Sequence, residues 1–203
     1  MKRLTLILIL ALAAGNAPCE QRDRKREDPQ ERAARRQRER LAELSRQLAR
    51  RLATPQPSET RAFLHKEAAA LLERARQASP DQYRFDRLCR AADALLEASE
   101  NILDSVQPEK KPEPDDQEEA ARRLERSYFR LQQGDYFAHL SGANDAAAYL
   151  KHARSLYQQA RSAYDSKQYR KAEKLGEAAA EIIVALESLA QATVRVPEPP
   201  RLK

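Results

Sequence analysis

Apolar residues recur every three or four positions through most of the chain beyond residue 40, which is the spacing of one face of an α-helix. The two clearest seams are Leu88, Ala91, Leu95, Ala98 and Ile102, and Ala172, Leu175, Ala179, Ile182, Leu186 and Leu189. Similar seams run through 64–78 (Leu64, Ala68, Leu71, Ala75, Ala78), 121–131 (Ala121, Leu124, Tyr128, Leu131) and 150–164 (Leu150, Ala153, Tyr157, Ala160, Tyr164). The pattern predicts an all-α protein, a helical bundle.

The seams group into two helical units. Ser58 or Thr60 can serve as an N-cap and Pro80 suits the first turn of a helix, so 58–106 is predicted to form an antiparallel hairpin. The segment DQYRFDRLCRAADALL at 81–96 resembles SKQYRKAEKLGEAAAEII at 166–183. We therefore expect two related hairpins, the second lying in a unit at 117–193 that has one extra helix. That helix is predicted at 118–133 with Gly134 as its C-cap, and an irregular segment is predicted at 135–144.

The segments between and around these units are polar. QPEKKPEPDD at 107–116 has three prolines and no apolar residue, which predicts a linker that lets the first hairpin move unless the two units bury a sizeable contact. The stretch 194–203 is rich in proline and is predicted to be a disordered tail. Residues 20–57 are predicted to form a charged helical arm whose apolar stripe begins only at Leu41.

The first nineteen residues have the layout of a secretory signal. Lys2 and Arg3 precede an apolar run of about eleven residues, and small residues follow it. The run is shorter than the roughly 20 residues that a membrane-spanning helix needs. We expect export to the periplasm or the extracellular space. A lipoprotein anchor at Cys19 is the alternative, but a lipobox has a small residue where Pro18 stands. A Cys19–Cys89 disulfide stays open at this point.

The distribution of charged residues along the chain says more about possible partners than the net charge of +6 does. Residues 20–53 hold twelve Lys or Arg against seven Asp or Glu, whereas 54–203 sum to −1. The folded body therefore lacks the clustered positive face that nucleic acid requires. The arginines of the arm could instead dock on an anionic membrane or cell-wall polymer, and the candidates are Arg35, Arg36, Arg38 and Arg40. The other interpretation is a solvated helix of mixed charge.

One helix pair resembles a known family. Ala160, Tyr164, Tyr169, Ala172 and Ala179 fall near the small and aromatic positions of the tetratricopeptide motif. The chain departs from that motif at Gly176, where a bulky residue is usual. The resemblance implies a helical hairpin that packs against a neighbour, and it implies peptide binding.

No catalytic or metal-binding pattern stands out. The three histidines lack the spacing of a helical metal site, and we expect His65 to lie on the surface. His139 and Ser141 could form the centre of a hydrolase only with an oriented base and an oxyanion hole, and few glycines are available to build one. We expect no enzyme, no cofactor and no metal, and an envelope hydrolase is kept as a remote alternative.

Aromatic residues cluster between positions 128 and 149 of a chain that otherwise has few, and they are Tyr128, Phe129, Tyr136, Phe137 and Tyr149. They could plug the junction between the extra helix and the second hairpin. They could also line a groove for a peptide, since tyrosine combines apolar area with a polar tip. We expect an interaction or scaffold protein of the cell envelope whose protein partner contacts Tyr136, Phe137 or Tyr149.

Overall fold

The structure is a computed structural model, and it describes residues 28–54, 58–108, 115–142 and 145–194. These residues form six helices and no strand, which confirms the all-α prediction. In chain order the helices are α1 (Pro29–Leu52), α2 (Glu59–Gln77), α3 (Gln82–Asp104), α4 (Asp116–Ser141), α5 (Ala146–Asp165) and α6 (Tyr169–Thr193). The predicted signal at 1–19 and the tail from residue 195 onward lie outside the described residues.

Short polar side chains set the helix starts. The hydroxyl of Ser58 accepts a hydrogen bond from the Arg61 backbone N–H at 3.2 Å, and the carboxylate of Asp81 accepts one from the Arg84 N–H at 3.0 Å. Each satisfies one of the backbone donors that a helix leaves free in its first turn. Of the two N-cap candidates in the sequence, Ser58 and Thr60, it is Ser58 that caps α2.

The chain folds as two copies of a three-helix unit. The helices begin at residues 29, 59 and 82 in the first unit and at 116, 146 and 169 in the second, an offset of 87 residues in each case. The sequence supports this register, because QExAARR at 30–36 recurs at 117–123. The arm predicted as a separate element is therefore the counterpart of α4. It packs on α2 and α3 through Leu44 and Leu48, which are both buried.

The two units share one hydrophobic core. The central helices α3 and α6 pack against each other, and α4 and α5 both pack on α6. The largest cluster of buried apolar residues takes members from all six helices. The contact between the units is thus the sizeable one that opposes the hinge motion expected of a linker at 107–116.

Helix α4 differs most from its prediction. It continues through Gly134 to Ser141, so the C-cap at Gly134 and the irregular segment at 135–144 were wrong over residues 135–141. Gly134 is buried, and a Cβ there would stand 2.7 Å from Leu150 Cδ2 and 3.1 Å from Ile183 Cδ1. Glycine therefore serves close helix packing at this position. The residue that ends α4 is Gly142, whose φ of 58° is the left-handed conformation of a helix C-cap.

Helix α4 buries more of its residues than its counterpart α1 does. Its buried residues are Ala120, Leu124, Ser127, Leu131, Gly134 and Ser141, whereas those of α1 are Gln37, Leu44 and Leu48. The Ser127 hydroxyl lies 2.8 Å from the carbonyl oxygen of Gly176 in α6. The position in α3 equivalent to Gly176 is Cys89, which has a side chain where Gly176 has none. Helix α4 is thus a rigid base for the residues on its outer side.

Candidate functional site

The aromatic cluster divides between the core and the surface. Tyr149 is 1% exposed, and its hydroxyl donates to the Glu67 carboxylate at 3.2 Å. Burial raises the pKa of the Tyr149 hydroxyl, and Glu67 raises it further. Phe137 is half-buried and packs against the core. The sequence-based placement of Tyr149 in a surface site was wrong, because the side chain of this residue faces α2.

The remaining aromatic residues of the cluster face solvent. Tyr128 is 47% exposed, Phe129 59% and Tyr136 63%. Phe129 and Tyr136 are seven residues apart, which is two helical turns, so they lie on the same side of α4. We call this side, with Phe129, Gln133 and Tyr136 along its middle, the outer α4 face. Tyr136 was a predicted site residue, and Phe129 was not.

Arginines border the outer α4 face. A shallow depression beside Phe129 is lined by Arg122, Glu125, Arg126, Arg130 and Gln133. Arg122 pairs with Glu118 on its own helix at 3.1 Å, and Arg130 pairs with Glu187 of α6 at 3.0 Å. Arg126 is exposed and makes no ion pair within the part of the chain that the structure describes. The face thus combines two exposed rings with side chains of both charges, since exposed Glu125 lines the same depression as Arg126.

The internal repeat provides a comparison for these residues. In the 87-residue register, Phe129 and Tyr136 correspond to Ala42 and Ala49 of α1, and both alanines are exposed. The same three-helix unit is therefore built once with rings at these positions and once with methyl groups. The first unit thus packs without rings at these positions, whereas in the second unit Phe129 contacts the ring of Tyr128 and Tyr136 that of Phe137.

A charged cleft lies between the two units. It has a volume of about 370 Å³, and its walls come from α1, α3, α4 and α6. Two ion pairs stand at its sides, Arg51–Glu100 at 3.1 Å and Arg123–Glu177 at 3.3 Å. Glu181 of α6 has its pKa raised to about 7, chiefly by burial and then by the charges of Glu97 and Glu177.

Glu97, on α3, also has a raised pKa, for which burial is the main cause and Asp93 the next. Two carboxylates whose ionised forms are disfavoured therefore face this cleft from opposite units. Positive and negative side chains alternate around the cleft, so its charges do not favour either an anionic or a cationic ligand.

The arginines of the predicted anionic-surface site have different surroundings. Arg35, Arg36 and Arg38 are exposed on α1. Arg40 instead pairs with Asp93 of α3 and helps to hold α1 on the first unit. All four arginines are thus exposed, and Arg40 also makes a structural contact with α3.

His65, another polar candidate, makes buried contacts that hold α2 against α3. His65 is 2% exposed, which corrects its predicted surface position, and its Nε2 lies 2.6 Å from the Ser99 hydroxyl. Burial lowers the pKa of His65, and the charge of Arg61 lowers it further. The Arg61 Nε donates to the same hydroxyl at 3.2 Å. This buried network was not predicted from the sequence, because His65 is adjacent to Lys66 and was therefore assigned to a polar, exposed face of its helix.

His139 and Ser141 lie two residues apart on α4, so their side chains leave the helix in different directions. The Ser141 hydroxyl donates to the Ala138 carbonyl at 2.9 Å. His139 and Ser141 are thus not placed to pair with each other. Within the described ranges no group of His, Cys, Asp and Glu is arranged to hold a metal ion, and no helix has the length and apolarity needed to span a membrane.

Cys89 is buried beneath α1, and burial raises the pKa of its thiol to about 11. Its possible partner Cys19 falls outside the described residues. No protein-family model matches the chain, and neither a curated protein nor a solved structure matches it.

Proposed function

We propose that this chain is an exported, non-enzymatic interaction protein of the cell envelope, and that the outer α4 face is its protein-docking surface. The observation that carries the proposal is the exposure of Phe129 and Tyr136 where the equivalent helix α1 has Ala42 and Ala49. Aromatic residues and arginine are enriched at protein interfaces and supply most of the binding energy there. A rigid helix that presents both favours a specific partner.

Photo-crosslinking tests this proposal in the cells that produce the protein. A photoreactive phenylalanine analogue replaces Phe129 in the full chain, and the matched controls place it at Ala42 and at Tyr83. Ala42 is the equivalent exposed position on α1, and Tyr83 is an exposed aromatic residue of α3. We expect a discrete crosslinked protein from position 129 and none from the two controls. Equal products from all three positions would contradict the proposal.

A second candidate function rests on α1. Because Leu44 and Leu48 face α2 and α3, Arg35, Arg36 and Arg38 are spread around the solvent-exposed side of α1. This side could dock on an anionic membrane or cell-wall polymer through charge alone. Deleting α1 would uncover the core, so charge-neutral substitution is the appropriate test.

Sedimentation with phosphatidylglycerol vesicles separates this candidate from the first. The Arg35→Gln/Arg36→Gln/Arg38→Gln chain should bind more weakly than the wild type, and added salt should weaken the wild type as well. The matched control neutralises three exposed arginines of α2 and α3, which are Arg74, Arg84 and Arg90. Equal losses in both triple variants would show only a dependence on total charge.

A further inference from the structure

We infer that the exposed arginines of α1 bind a linear phosphodiester polymer of the cell wall and not the flat surface of a membrane. The inference rests on the second candidate function above and names the class of its ligand. The equivalent helices α1 and α4 differ sharply in charge. Helix α1 holds eight arginines, no lysine and three glutamates, whereas α4 holds four arginines and five acidic residues. The net charges are thus +5 for α1 and −1 for α4.

The fold balances only part of the positive charge of α1. Ion pairs engage some of its arginines, namely Arg35 with Glu39, Arg40 with Asp93, Arg46 with Glu43 and Arg51 with Glu100. Arg36, Arg38 and Arg50 are exposed and make no ion pair among the described residues. Helix α1 therefore keeps a surplus of guanidinium groups that an external anion would neutralise.

The first two turns of α1 extend past the rest of the first unit. Every residue from Pro29 to Arg36 is exposed, and Gln37 is the first buried residue of the helix. The Gln37 Nε2 donates to the Ser79 carbonyl, in the turn between α2 and α3, at 3.0 Å. The eight residues before Gln37 span about 12 Å of helix and lie beyond that turn.

The second unit shows that this exposure is particular to α1. The equivalent turns of α4 are held by a contact of three alanines, since Ala120 is buried against Ala163 and Ala172. The same positions in the first unit are Ala33, Arg76 and Phe85. Ala33 is exposed. The projecting end of α1 is thus open to solvent, and a flexible chain can follow the arginines around it.

A flat bilayer complements α1 less well than a narrow chain does. Helices that lie on membranes insert an apolar face with large side chains. Leu44 and Leu48 of α1 are instead buried in the core, and residues 29–40 contain no large apolar side chain. Glu39 follows Arg35 and Arg36 by one turn, so a plane that meets both arginines also meets its carboxylate.

The choice of arginine favours phosphate as the anion. A guanidinium group is a planar fork that binds two phosphate oxygens at once, whereas the ammonium of lysine is a point charge. Helix α1 uses arginine alone, while α5 and α6 also use lysine, as at Lys151 and Lys171. A polymer with one phosphate in each repeat would engage successive guanidinium groups of α1.

Two probes with the same chemical group test the inference with the full chain. Poly(glycerol phosphate) carries glycerol phosphate along a chain, and phosphatidylglycerol vesicles carry it on a plane. At equal phosphate concentration and ionic strength we expect the polymer to bind at least about tenfold more tightly, about 1.4 kcal/mol. In Arg35→Gln/Arg36→Gln/Arg38→Gln the slope of log K against log salt for the polymer should fall by about 2, because each phosphate contact on a single strand contributes about 0.7.

The variant Arg35→Lys/Arg36→Lys/Arg38→Lys keeps the charge and removes the forks. It should bind the polymer at least about fivefold more weakly and leave vesicle binding unchanged. The matched control is Arg74→Lys/Arg84→Lys/Arg90→Lys on α2 and α3, which should change neither. Because all six arginines are exposed, circular dichroism should show equally helical proteins.

The outcomes separate the ligand class from the function on which it rests. Equal binding of polymer and vesicles, or polymer binding that the lysine variant leaves unchanged, would overturn the inference while the anionic-surface candidate stands. Tighter binding of an oligothymidylate with the same number of phosphates would assign the arginines to nucleic acid and also overturn it. If the full chain binds neither the polymer nor the vesicles, the inference and the second candidate function both fail.

Discussion

Glu181→Gln should stabilise the protein at pH 8 and leave its stability nearly unchanged at pH 4, below the ordinary pKa of the carboxyl. Glu181 lies on α6 in the cleft between the two units, where burial disfavours its ionised form most and Glu97 of α3 disfavours it next. These effects raise its pKa to about 7 from an ordinary 4.5. The folded protein therefore holds the proton more tightly than the unfolded chain does.

The sign and size follow from proton linkage. A carboxyl whose pKa is raised by folding favours the folded state below its unfolded pKa, and that contribution is lost as the pH rises through the folded value. Each unit of pKa is worth about 1.4 kcal/mol, so the full shift corresponds to about 3 kcal/mol. The carboxyl is partly exposed and solvent screens it, which reduces the expected effect to about 1–2 kcal/mol. Glutamine has the same shape without the charge, so the variant lacks the free-energy cost of burying an ionised carboxylate at high pH.

Urea unfolding of the full chain at pH 4 and pH 8 measures the effect. The control is Glu125→Gln, which removes an exposed carboxylate on α4 and should change the stability by less than about 0.5 kcal/mol at both pH values. Equal stabilisation by Glu181→Gln at the two pH values would refute the reasoning. A loss of stability at pH 8 would show instead that ion pairing with a neighbouring arginine outweighs burial.

Three further substitutions test the packing, each by urea unfolding of the full chain. Ser99→Ala removes the hydroxyl shared by His65 and Arg61 and should cost about 1–3 kcal/mol, because both groups stay buried; a smaller loss would mean that water replaces the hydroxyl. Gly142→Ala should cost about 1 kcal/mol, since φ is 58° there, and an unchanged midpoint would contradict the left-handed cap. Tyr149→Phe should cost about 1 kcal/mol through its lost hydrogen bond to α2, and a stabilised variant would contradict the buried bond.

The sequence predicted the central helices well, because their apolar residues follow helical spacing without interruption. Every predicted seam residue of α3 and α6 is buried, from Leu88 to Ile102 and from Ala172 to Leu189. Helix α4 was harder, since a glycine usually ends a helix, and only the three-dimensional position of Leu150 and Ile183 shows why Gly134 lies in its interior. The spacing of apolar residues along one helix does not show which side chains of other helices will pack closely against it.

The candidate site was predictable only in part. The clustering of aromatic residues in the sequence indicated both Tyr136, which is exposed, and Tyr149, which is buried. Clustering does not distinguish them because it carries no information about which side of a helix a residue occupies. The seven-residue interval between Phe129 and Tyr136 was present in the sequence, as was the repeat of QExAARR that aligns α4 with α1. Once this register is set, Ala42 and Ala49 identify the positions at which the first unit packs without aromatic side chains.

The most direct test of the docking surface places a photoreactive residue at Gln133, between the two exposed rings, and compares its crosslinking yield in two backgrounds. We expect a partner crosslink in the chain with Phe129 and Tyr136 intact. In Phe129→Ala/Tyr136→Ala the yield should fall below about a tenth, while circular dichroism shows an equally folded, helical protein. An unchanged yield in the folded double variant would contradict the assignment of these two side chains to partner binding.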